Sequence, residues 1–246
     1  LPLPFPVLEK PYEPDSLKQV EAVQLFLDRA QGFSPGFAIS GRNAPEIVDI
    51  CHLLDGIPLA IELAAARTLQ FGVEEIAERL KERFDLLKVA GRRVHPRHQT
   101  LRAAMDWSYT LLSQDEASLF ENLSVFADGW TLEAAEYVCS GAGLHPGKIA
   151  ELLEQLLRKS LIHINEDRVR YGMLATIRQY AWEKLTQSGI QYEVSQRYFA
   201  YTLAFMERAD QMIRGPEQIA WLGRIDQEHE NILHALTMAF NSPGSY

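Results

Sequence analysis

The tightest constraint on this fold is the run Leu53-Leu54-Asp55-Gly56-Ile57-Pro58-Leu59-Ala60-Ile61-Glu62-Leu63-Ala64-Ala65-Ala66-Arg67. Gly56 can take the left-handed backbone conformation that ends a helix. Pro58 has φ already set for a first helical position, where its missing N–H would have had no partner. The run therefore predicts two apolar helices meeting at a sharp, rigid corner. Such a corner leaves apolar side chains and a proline ring beside a helix N-terminus, where they can simply pack or can hold a flat, partly polar ligand.

Helical periodicity extends from this corner in both directions. Residues 1–14 are proline-rich and predict an extended connector. Leu17, Val20, Val23, Phe26, Leu27 and Ala30 recur at helical spacing up to the Phe33-Ser34-Pro35-Gly36 stop. Asn43 with Glu46 three residues on has the spacing of a capping box for the helix that enters the corner. Beyond the corner, Ile76, Leu80 and Phe84 mark another amphipathic helix, so residues 15–88 form one helical unit. A linker rich in Gly, Arg, His and Pro follows.

Thr100 then stands where it can cap a helix, and Ser113-Gln114-Asp115-Glu116 is a capping box for the next. Thr131 and Ile149 open two more helices, after which Leu161–Ile164 and Arg168–Tyr171 flank Asn165-Glu166-Asp167 as a hairpin. Helices followed by a hairpin is the order of a winged helix, assigned to residues 95–188. Residues 190–246 read as stacked helix pairs, the start of a helical-repeat (TPR-like) region, although no full period of roughly 34 residues recurs. The fold class is thus mainly α.

Composition narrows the functions. In 246 residues the net charge is −9, which argues against broad attraction to nucleic acid or anionic membrane. No run approaches the roughly 18 apolar residues of a membrane span, and no signal peptide is visible. Cys51 and Cys139 sit in apolar helical contexts, which suits buried thiols in a reduced, cytoplasmic setting. The first residue is not Met, which suggests a piece of something longer. Gly141-Ala142-Gly143-Leu144-His145-Pro146-Gly147-Lys148-Ile149 imitates a phosphate loop but lacks Gly at Ala142 and Ser or Thr at Ile149. His95 and His98 lack further ligands at metal spacing, and no metal is expected there. On the helix at the recognition position, Lys148–Lys159, Glu151 and Glu154 mix with Arg158 and Lys159, so DNA is an unlikely partner by this reading.

Several motifs together resemble the STAND class of signal-transduction ATPases, in particular bacterial regulators with an NB-ARC-like switch. They are Leu1-Pro2-Leu3-Pro4, Leu25 to Ala30, Leu54 to Arg67, His98 to Tyr109, Leu123-Ser124-Val125-Phe126, Tyr171 to Ala181 and Glu230-Asn231-Ile232. The resemblance implies that residues 15–88 are a helical lid, followed by the winged helix and an early sensor region. It also implies an upstream P-loop domain of the same chain that holds ADP or ATP with Mg²⁺, so the parent would be an ATPase although this fragment is no enzyme. The corner's Gly56, Pro58 and Leu59 would then lie against adenine. The family's Met-His-Asp sensor falls on Met173, Leu174 and Ala175, which implies a second contact through Met173 and Leu174 without the imidazole. This portion would bind nucleotide weakly by itself and would relay an inducer to oligomerisation or other protein partners through the helical region. Two alternatives stand beside it: a DNA-binding winged-helix regulator, and a nucleotide-independent helical scaffold.

Overall fold

The chain folds as two units, one formed by Leu1–Leu112 and Arg158–Ser160, the other by Ser113–Leu157 and Leu161–Tyr246. The computed structural model describes residues 2–6, 14–89, 96–141, 144–165 and 169–241.

The first unit contains α1 (Pro14–Leu17), α2 (Glu21–Phe33), α3 (Ala44–Leu53), α4 (Pro58–Ala65), α5 (Val73–Val89) and α6 (Pro96–Thr110). Ala22, Val23, Phe26, Leu27 and Ala30 give α2 one buried face at intervals of three and four. That face packs on α4, whose Ala60, Ile61, Leu63, Ala64 and Ala65 are all buried. Helix α4 is apolar nearly all round because α6 also packs on it. Helix α3 packs on α5, burying Ile47, Ile50 and Cys51 against the side that carries Ile76 and Leu80.

Between α3 and α4 the backbone turns through two successive left-handed residues, Asp55 at φ 49° and Gly56 at φ 62°. The Gly56 N–H closes the end of α3 by donating to the Cys51 carbonyl at 3.2 Å. Proline at the first position of α4 then starts the second arm as expected. Asp55 is steadied by Thr100, whose hydroxyl donates to its Oδ2 at 2.8 Å. Thr100 therefore lies within α6 and ties it to the corner, where the sequence had suggested a cap. Asn43 also departs from its expected role. Its Oδ1 accepts from the backbone N–H of Ser40 at 2.8 Å, and its Nδ2 donates to the Ala38 carbonyl at 3.1 Å. The side chain turns back into the preceding loop and leaves α3 without a side-chain cap.

The second unit is a winged helix continued by three helices. Its helices are α7 (Gln114–Asn122), α8 (Leu132–Cys139), α9 (Ile149–Arg158), α10 (Ala175–Ser188), α11 (Gln191–Met212), α12 (Gln218–Gln227) and α13 (His229–Asn241). The reciprocal capping box of α7 is complete: Ser113 Oγ accepts from the Glu116 N–H, and Glu116 accepts from the Ser113 N–H at 2.7 Å. Gly189, left-handed at φ 81°, terminates α10.

The hairpin pairs β1 (His163–Ile164) with β2 (Tyr171–Gly172) in antiparallel register, His163 opposite Gly172. The first strand starts later than expected because the Leu161 N–H is used to close α9, donating to the Leu156 carbonyl at 3.1 Å. Trp130 adds a third strand of one residue, exchanging hydrogen bonds of 2.9 and 2.8 Å with Tyr171. A Cβ on Gly129, φ 70°, would stand 2.5 Å from the Tyr171 carbonyl oxygen, so this close approach needs glycine. Glu166 and Asp167 of the expected turn, Arg168 of the expected strand and His95 of the linker lie outside the described residues. Among the described residues no helix is long and apolar enough to cross a membrane.

Both cysteines are free and buried. Burial pushes the Cys51 thiol up to about 12 and raises that of Cys139 as well. Neither should react with a soluble aromatic disulfide reagent at pH 8 until the chain is unfolded. Rapid labelling of the folded protein would show that these cores open on the reagent's timescale.

Candidate nucleic-acid interface

The face most suited to a large partner is built on α9. Ile149, Leu152, Leu153 and Leu156 are buried on one side, which leaves Ala150, Glu151, Glu154 and Arg158 exposed and Gln155 at the margin. The helix is thus anchored by four aliphatic side chains while its opposite face stays in water. At its start, His145 Nδ1 accepts the Gly147 N–H at 3.1 Å, which puts the proton of the neutral ring on Nε2. Lys148 is exposed, and its ion pair with Asp115 spans 3.4 Å with both side chains largely in solvent. Such a pair is weak and leaves the ammonium able to exchange partners.

Lys159 differs from its neighbour. It is buried, and its ammonium reaches the Leu111 carbonyl at 3.5 Å, so it supports the end of α9 and adds nothing to the exposed face. The run from Gly141 is a turn closed by hydrogen bonds of 3.2 and 3.0 Å between Gly141 and Leu144, with Leu144 buried. Ala142 and Gly143 lie outside the described residues.

Asn165 shapes the hairpin beside α9. Its Oδ1 accepts from the Val169 and Arg170 N–H groups at 3.1 and 2.8 Å. The base of the hairpin is held from the far C-terminus. Arg170 pairs with Glu228 and also donates to the Asp128 carbonyl at 3.1 Å. Asn231, 3% exposed, accepts from the Ala127 and Asp128 N–H groups at 2.9 and 3.2 Å. Its Nδ2 donates to the Gly129 carbonyl at 2.9 Å and to Glu228 at 2.6 Å. The Tyr198 hydroxyl closes the clasp by donating to the Asn231 carbonyl at 2.7 Å. The Arg170 charge is therefore used inside the protein. This clasp was not visible in sequence, where Asn231 stands about a hundred residues from the backbone groups of residues 127–129 that it holds.

The residues proposed from sequence for nucleotide fall in different units. Gly56, Pro58 and Leu59 sit together at the corner in the first. The space beside Gly56 is filled by the chain's own N-terminal segment: the Leu3 N–H donates to the Gly56 carbonyl at 2.8 Å, and the Phe5 ring stands edge-on to His52 with centroids 5.1 Å apart. Met173 and Leu174 belong to the second unit, where Leu174 is 48% exposed just before α10. Leucine and methionine offer no hydrogen-bond donor to a phosphate. Among the described residues no group of three His, Cys, Asp or Glu side chains could hold a metal ion.

Residues 112–186 match the family model described as a winged helix-turn-helix domain. The chain is similar to an HTH-type transcriptional regulator of Mycobacterium tuberculosis and to its counterpart in Mycobacterium bovis. Each is 46% identical over 171 residues, which is 69% of this chain and 19% of the relative. It is also similar to an uncharacterized protein of Mycobacterium tuberculosis, 41% identical over 184 residues, or 72% of this chain and 46% of that protein. The chain therefore spans about a fifth of the length of the regulators it matches.

These findings overturn the switch-ATPase expectation. The matched family is a winged helix, and the named relatives are HTH-type transcriptional regulators, not STAND or NB-ARC ATPases. The ADP, ATP and Mg²⁺ cofactors, the ATPase parent and the P-loop partner fall with it. The physical reason lies in the corner, since a Gly-x-Pro elbow also serves simply to end one helix and start the next. The expectation that DNA is an unlikely partner is overturned as well. Net charge sums over the whole chain, whereas nucleic-acid contacts are made by a local surface.

Proposed function

We propose that this chain is the winged-helix portion of a transcriptional regulator and that α9, with the hairpin beside it, meets duplex DNA. The observation that carries this reading is the build of α9: four aliphatic side chains lock it to the domain, while a polar face, entered by His145 and Lys148, is exposed to solvent. A helix presented in this way can enter a major groove. The similarity to HTH-type regulators supports the same reading.

Roles follow from side-chain chemistry. Lys148 is a point charge for a phosphate. Gln155 can pair with the edge of adenine, and Glu151 and Glu154 can only accept, as from the amino group of cytosine. The two glutamates also repel phosphates, so they exchange non-specific affinity for selectivity. We place the protein in the cytoplasm, with the chromosome of a bacterial cell.

The test is fluorescence anisotropy with a pool of labelled duplexes across a salt series. Lys148→Ala should reduce the slope of log affinity against log salt by about 0.9. Glu151→Gln combined with Glu154→Gln should tighten non-specific binding. Absence of duplex binding at low salt, or binding indifferent to all three substitutions, overturns the reading. Reversal of Lys159 is unsuitable as a probe because it would disturb a buried side chain.

A further inference from the structure

A second surface in the same unit has the chemistry of a small-molecule site. An open groove of about 600 Å³ runs between α8, the base of the hairpin, α11 and α12. That volume lies within the range of roughly 300–1,000 Å³ typical of ligand pockets. Trp221, 2% exposed, contributes to its wall, with the Phe205 ring at 5.9 Å. Tyr137 and Tyr201 also line it, with ring centroids 5.5 Å apart. Aromatic rings thus form part of the wall.

Two cations complete it. The guanidinium of Arg208 lies 5.5 Å from the centre of the Trp221 ring and that of Arg224 lies 4.8 Å from it. Both arginines are on the groove lining. Among the described residues neither has an ion pair, although other arginines of this unit do, Arg170 and Arg214 among them. A guanidinium lying over an aromatic ring keeps its edge N–H groups available for a bidentate anion. The acidic groups in the groove do not cancel this charge. Glu228 is already held by Arg170 and Asn231, which leaves Glu133 against two arginines.

From this geometry we infer that the groove binds a small aromatic monoanion, a carboxylate or a sulfonate, with its ring among Tyr137, Tyr201 and Phe205 and its charge on Arg208 and Arg224. The inference is independent of DNA binding and would stand if that reading failed.

The probe is the dye anilinonaphthalene sulfonate, titrated into the full chain and read by its own fluorescence. One saturable site is expected, emptied by indole acetate. Arg208→Gln combined with Arg224→Gln should weaken it about tenfold, the loss expected for removing charge-assisted hydrogen bonds. Phenylnaphthylamine, which has the same rings without the sulfonate, should bind the two proteins alike. Both arginines are exposed, so the double variant should keep its circular dichroism and melting curve. Arg208→Glu serves as a second variant should the double one unfold. The proposal is overturned by the absence of a saturable site, by equal dye affinity in wild type and the folded variants, or by displacement with polyglutamate but not indole acetate. The last result would assign the groove to an acidic peptide.

Discussion

Gly56→Ala should lower the stability of the Leu1–Leu112 unit by about 3 kcal/mol or more, measured by chemical unfolding. Two penalties combine. The residue stands at φ 62°, which costs a side-chain-bearing residue about 1–2 kcal/mol. A Cβ there would also stand 2.2 Å from the Leu3 carbonyl oxygen and 2.9 Å from the Phe5 ring, an overlap that only a shift of backbone relieves. Gly56→Asn separates the two terms, because asparagine tolerates the left-handed conformation but still carries the Cβ. It should recover only part of the loss. A loss of only about 1–2 kcal/mol in Gly56→Ala, the conformational penalty alone, would show that Leu3–Phe5 does not fill the corner.

Asn231→Ala should cost about 2–3 kcal/mol and should loosen the winged helix at a distance. The substitution removes the acceptor for two backbone N–H groups and the donor to the Gly129 carbonyl. Water reaches part of this turn, since Ala127 and Gly129 are half-buried and Asp128 is exposed, which keeps the estimate below the sum of three orphaned groups. The adjoining residue Trp130 forms the third strand with Tyr171. Hydrogen exchange at the Trp130 and Tyr171 amides should therefore quicken in the variant, while exchange in α2 and α4 stays as it was. Unchanged protection at Trp130 would mean that the turn holds its shape without the clasp. Asn231→Asp should be at least as costly, because it removes the amide donor and sets a second carboxylate beside Glu228.

Local punctuation was legible because its chemistry is local. Gly56, Pro58 and the Ser113–Glu116 box each act within about one helical turn, and the winged-helix order was read from the hairpin that follows the helices. Misreadings arose where a local rule met a competing partner. Asn43 found the loop at Ser40 and Ala38, and Thr100 found Asp55 across the unit. The Trp130 strand was invisible because one residue has no periodicity. On the candidate DNA-facing side, Glu151, Glu154 and Arg158 were readable as exposed charges, but Lys159, counted with them, is buried. Net charge misled, since it reports an average over surfaces that never meet one partner. The groove illustrates the opposite case. Trp221 and Arg224 share a face at three-residue spacing, but only the fold brings Arg208 and Tyr137 to them.

The clasp also separates two kinds of boundary. Similarity to winged helix-turn-helix domains ends at residue 186, yet the turn that leads into the Trp130 strand is held by Asn231, and Arg170 at the hairpin base is held by Glu228. A hairpin with two residues in each strand has little stability of its own. Excision at residue 186 would remove the groups that keep the wing in place. The length matched by the family model and the length that holds the wing together are different stretches of chain.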